Sequence, residues 1–117
     1  MTDLESIAEE FALNVAAQTD AIHGGARSGG NKYAKRYTAA FKKLRDHGEA
    51  GRDALAQLLV HPRMDVRVNA AVCLLSDRPE QAKPVLEEAA KGEGMIPFVA
   101  SQALKCWEEG NWSLDID

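Results

Sequence analysis

Five apolar positions recur thirty residues apart in this 117-residue chain. Val66, Val68, Ala70, Cys73 and Leu74 are followed in the same phase by Ile96, Phe98, Ala100, Ala103 and Leu104. A repeat of this period marks stacked helix pairs, because no single pair can bury its apolar face alone. Nothing along the chain reads as a strand. The expected fold is therefore all-α, a superhelix of about six helices in antiparallel pairs, and such folds bind more often than they catalyse.

Turn chemistry sets the expected boundaries. Thr2-Asp3-Leu4-Glu5 has the form of a capping box, and Leu4, Ile7, Ala8, Phe11 and Val15 form one apolar stripe behind it. This gives an N-terminal helix over residues 1–19. Gly24, Gly25, Gly29 and Gly30 then argue for a flexible Gly-rich loop over 20–30. Asn31 caps a second helix with Tyr33, Tyr37, Phe41 and Leu44 on one face and Lys35, Arg36, Lys42, Lys43 and Arg45 on the other. Stacked helix pairs are expected over 31–110, punctuated by His47-Gly48, His61-Pro62 and Asp77-Arg78-Pro79. Pro84 should bend the helix that starts near Pro79. Pro97 suits the first turn of the last helix and Gly110 its end. In the tail, 111–117, Trp112 and Leu114 are expected to fold back over the last helix pair. Alternatively, Trp112 stands exposed as an interface anchor.

At this length the whole chain, 1–117, is expected to be a single domain. With 45% hydrophobic and 27% charged residues it should fold unaided. Its apolar runs are too short to span a membrane, and Met1 to Glu5 lacks the basic start of a secretory signal, so a cytoplasmic location is expected. Cys73 and Cys106 then read as buried free thiols. The net charge of −4 conceals a basic island. Residues 27–46 carry seven bases against one acid, between flanks where acids predominate. Attraction between island and flanks within the fold is one reading of this pattern, and a binding patch is the other.

The residues give little support for catalysis. Glu9-Glu10, Glu87-Glu88 and Glu108-Glu109 are adjacent on helices, where neighbours diverge and cannot share a substrate atom. No serine sits in a nucleophile elbow. His23, His47 and His61 have no metal-ligand spacing, so neither a metal nor a cofactor is expected. The aromatics of the basic helix lie opposite its lysines, and with a pI of 5.4 nucleic acid is not an expected partner. The segment Gly24 to Lys35, with Arg27, Lys32, Lys35 and Arg36, offers an alternative function, a small anion- or nucleotide-binding regulatory protein. It follows a helix, however, and lacks the Gly-Lys-Ser/Thr ending of a phosphate loop.

The run His61-Pro62-Arg63-Met64-Asp65-Val66-Arg67-Val68-Asn69-Ala70-Ala71 resembles the turn and second helix of a HEAT-type repeat. Over residues 31–110 the order of features is similar to a family of small bacterial HEAT-like proteins known only as a domain of unknown function. That resemblance implies a HEAT-like α-α superhelix and a non-catalytic protein–protein interaction module. Some small helical proteins of this architecture are immunity proteins that neutralise a neighbouring toxin, here by surface occlusion. It also implies that Asp65 and Arg67 make structural contacts between repeats, or else that Arg67 stands on a binding face. Second helices usually line the concave side, so Arg63, Arg67 and Asn69 are candidate partner-binding residues, joined by Arg27 and Ser28 and by Trp112. The expected partner is another protein, and the oligomeric state is left open.

Overall fold

The computed structural model describes residues 3–24 and 27–110, the side chains of 3, 23 and 27–31 excepted. Among the described residues the fold is all-α, with six α-helices and no strand. They are α1 (Asp3–His23), α2 (Arg27–Asp46), α3 (Glu49–Ala56), α4 (Met64–Leu74), α5 (Pro79–Ala90) and α6 (Met95–Glu108). A 3₁₀ turn, Gln57–Val60, follows α3. The chain divides into two compact units, Met1–Leu58 and Leu59–Asp117.

In the first unit α1 lies against α2, and α3 packs on both. The apolar stripe of α1 buries Ala8, Phe11, Ala12 and Val15, and α2 contributes Ala40, Phe41 and Leu44. Phe11 and Tyr37 meet edge to face with ring centroids 5.6 Å apart, the arrangement that aromatic quadrupoles favour. Gly51 brings α3 onto α2 so closely that a Cβ there would overlap the Leu44 carbonyl oxygen. Only glycine permits that approach.

The glycine segment departs from expectation. In place of a loop over 20–30, α1 continues to His23 and α2 begins at Arg27, so Asn31 lies inside a helix instead of capping it. A helical glycine costs about 1 kcal/mol relative to alanine. The pairing of α1 with α2 offsets such a local cost, because tertiary packing overrides propensity. Thr2 of the expected capping box lies outside the described residues.

In the second unit α4, α5 and α6 each pack against the other two. Small residues make this possible: Ala70, Ala71, Ala82, Ala89, Ala100 and Ala103 are buried alongside Val66, Val68, Leu74, Leu75 and Leu86. Pro79 starts α5, and the helix continues through Pro84, whose missing amide deprives the Glu80 carbonyl of its helical donor. Gly94 and Gly110, with φ of 118° and 79°, bound α6 in a region that suits glycine. Lys83 Nζ lies 5.1 Å from the Trp107 ring centroid and ties α5 to α6.

Candidate functional site

The start of α4 is organised by its own charged side chains. Arg63 forms a bidentate pair with Asp65, Nε to Oδ1 at 3.0 Å and Nη2 to Oδ2 at 3.1 Å. Oδ1 also accepts from the Val66 amide at 2.9 Å, so the buried carboxylate sits on the positive end of the helix. Arg67 reaches back over the proline turn, where its Nη1 donates to the His61 carbonyl at 2.7 Å and the Pro62 carbonyl at 3.1 Å. Asn69 Nδ2 donates to the Asp65 carbonyl at 2.9 Å. Three of the residues expected to bind a partner are therefore also the ones that hold the turn and first coils of α4 together. Arg27 and Ser28 have side chains outside the described set, and Trp112 lies outside the described residues.

Beside this turn lies a groove of about 350 Å³ lined by Leu59, Met64, Arg67, Pro84, Val85, Glu88 and Ala89. The walls are mostly apolar. Arg67 and Glu88 are the charged members, and they differ in how they are satisfied. Glu88 pairs with Lys91 at 3.4 Å, whereas Arg67 pairs with no carboxylate of the described residues. Its Nε and Nη2 remain available as donors. A cavity at the small end of the roughly 300–1,000 Å³ range of ligand sites suits one or two side chains better than a bulky cofactor.

Residues Leu59, Met64, Pro84, Val85 and Ala89 of this groove are not distinguishable as a site in the sequence. Val60, 84% exposed, precedes the proline turn next to Leu59 of the groove.

The basic island is engaged within its own helix. Lys32 Nζ and Arg36 Cζ lie 5.3 and 5.8 Å from the Tyr33 ring centroid, and Arg45 lies over Phe41. Ala34, Lys35, Thr38, Ala39 and Lys42 form a shallow trough on the same helix. Cys73 and Cys106 are free thiols, both half-buried. Cys73 is enclosed closely enough that burial pushes its thiol up to about 12, which suppresses the nucleophilic thiolate. Among the described residues no three His, Cys, Asp or Glu side chains are grouped to hold a metal ion, and no helix is long and apolar enough to cross a membrane.

The class defined by these features is an all-helical protein with a small apolar groove beside a tied-down arginine. The crystal structure of the protein RPA1889 from Rhodopseudomonas palustris CGA009 is similar to this chain. Its TM-score is 0.89 and its sequence identity 25%, covering 98% of this chain and 95% of that one. The likeness is one of fold. No family model and no curated protein matches the chain.

Proposed function

We propose that this chain is a non-catalytic protein-interaction module of HEAT-like construction. In this reading it binds another protein through the α4–α5 groove and acts by surface occlusion, as a toxin-neutralising immunity protein does. The observation that carries the reading is the groove itself: apolar walls beside an arginine cation that no described carboxylate neutralises. The chemistry that fits is an apolar side chain next to a carboxylate. Burying one such side chain contributes about 1.5–3 kcal/mol, and a charge-assisted bond to Arg67 about as much again.

The test places a photo-crosslinking residue, p-benzoylphenylalanine, at Val85 and, as a control, at exposed Lys43 of α2. The expected result is one protein captured from Val85, not from Lys43, and lost when Met64→Asp is introduced beside the groove. Expressing the captured protein alone should then arrest growth, and co-expression with this chain should restore it. Equal capture from both positions, or capture indifferent to Met64→Asp, overturns the groove as the binding site. Normal growth with the captured protein alone overturns the immunity role.

A further inference from the structure

Two arginines stand at the start of α4, and among the described residues only one of them meets a carboxylate. Arg63 uses the edge formed by Nε and Nη2 to hold both oxygens of Asp65, at 3.0 and 3.1 Å. Arg67, one helical turn on and half-buried, is fixed through Nη1 instead, which donates to the His61 and Pro62 carbonyls at 2.7 and 3.1 Å. Its own Nε and Nη2 edge meets no acceptor among the described residues. In a planar guanidinium the N–H bonds of Nε and Nη2 run parallel, so that edge matches the two oxygens of one carboxylate. With Nη1 already tied to the turn, little side-chain freedom is lost when the edge is filled.

We infer that the occupant of the α4–α5 groove is the carboxy-terminal residue of a partner chain, an apolar residue whose free carboxylate lies on the Nε and Nη2 edge of Arg67. The inference rests on the protein-binding reading of the groove and names what the partner presents there. Charge selects a carboxylate. Glu88, the other charged wall residue, is paired with Lys91 at 3.4 Å, which leaves Arg67 as the cation to be matched.

Size selects a chain end. The groove, of about 350 Å³, has to take an apolar side chain against Leu59, Met64, Pro84 and Val85 together with a carboxylate at Arg67. Within an extended segment, neighbouring side chains point to opposite faces, and those on one face stand about 7 Å apart. An acidic residue and its apolar neighbour therefore do not enter one small groove together. At a chain end the side chain and the carboxylate leave the same Cα, so a single residue supplies both. Capture of a terminal carboxylate is a general mode of peptide recognition.

Peptide titration followed by NMR tests this on the full chain, with N-acetyl-Gly-Gly-Leu as the probe. At millimolar concentration the free acid should shift the methyl signals of Met64 and Val85 and the Nε–H signal of Arg67. The carboxamide of the same peptide, which lacks the charge, should bind roughly tenfold more weakly or worse. So should N-acetyl-Gly-Leu-Asp-Gly amide, which offers leucine beside an internal carboxylate. Arg67→Lys keeps the cation but loses the fork, and should erase most of the preference for the acid. The comparison of peptides on the parent chain needs no variant, so it holds even if that substitution disturbs the turn. Equal binding of acid and carboxamide, or of the internal-carboxylate peptide, overturns the inference and leaves the groove as a protein site. Shifts confined to the lysines of α2, or none with any peptide, overturn it too, while capture from Val85 decides the broader reading separately.

Discussion

The two units solve the same packing problem with different side chains. The first is built on two long helices, and its large apolar residues mostly point inward: Phe11, Val15, Phe41, Leu44 and Leu55 are buried. The second packs three shorter helices with no buried aromatic among the described residues, its alanines and valines lying beside Leu59, Leu74, Leu75 and Leu86. Close helix approach leaves less interior volume for long side chains, so several remain outside: Val60, Met64, Met95, Phe98 and Val99 are all exposed. In the first unit Leu13 and Ile22 are the exposed large hydrophobics. Small residues in a core therefore do two things at once. They bring helices together, and they free larger apolar side chains for a surface.

The strongest way to break this contrast is to place a charge in the small-residue core. Ala70 is fully buried, and Ala70→Asp puts a carboxylate there without a partner. The expected cost is about 3–5 kcal/mol, a large fraction of the roughly 5–15 kcal/mol that stabilises a typical domain. The variant should be insoluble or lack a cooperative urea transition. A midpoint near that of the parent chain would mean that the α4 face is not a core.

In the first unit the matching test uses glycine. Gly51→Ala raises helix propensity by about 1 kcal/mol, so a loosely packed α3 would be stabilised. Here the added Cβ meets the Leu44 backbone, which cannot rotate aside. A net loss of about 2–3 kcal/mol is expected from the overlap. Urea denaturation decides by sign alone: a gain in stability shows that α2 and α3 do not approach closely.

How much of this was legible depends on whether local chemistry and tertiary packing agree. They agree at Pro79, Pro97 and Gly110, which lie at the ends of their helices as expected; Asp65 and Arg67, expected to link successive repeats, make the contacts described above within the turn and start of α4. They disagree at Gly29 and Gly30, where local preference argues for a loop and the chain is helical. They also disagree at Phe98. Its repeat partner Val68 is buried, yet Phe98 is exposed, because no helix among the described residues lies over that side of α6. A periodic pattern tells which positions share a face, but a neighbouring surface decides whether that face is covered. The groove was illegible for the same reason, since its walls come from separate helices.

The thiol of Cys73 gives a smaller, pH-dependent effect within the small-residue unit. Its ordinary value is 9.0 and burial raises it to about 12. Below pH 9 both folded and unfolded chains hold the proton, and stability is unaffected. Between those values only the unfolded chain releases it, so stability falls as pH rises, by up to about 1.4 kcal/mol per pH unit. Comparing urea midpoints near pH 8 and pH 10.5 for the parent and Cys73→Ala isolates the thiol, because the variant lacks the linked proton. The parent should lose more stability than the variant over that interval. Parallel losses would mean that burial does not raise the Cys73 thiol.

The smallest effect on stability is expected at Val60, and it bears most directly on function. A side chain 84% exposed has little burial to lose, so Val60→Asp should move the unfolding free energy by no more than about 0.5 kcal/mol. If Val60 instead belonged to the core in solution, the same change would cost several times that amount. The position adjoins Leu59 and the proline turn at the groove. A partner with a carboxylate seated near Arg67 should be repelled by a second carboxylate introduced there. The expected signature is thus an unchanged urea midpoint together with weakened crosslinking from Val85. Lost stability with binding intact would reverse the contrast between the units, making the exposed side chains of the second unit part of its core and not its working surface.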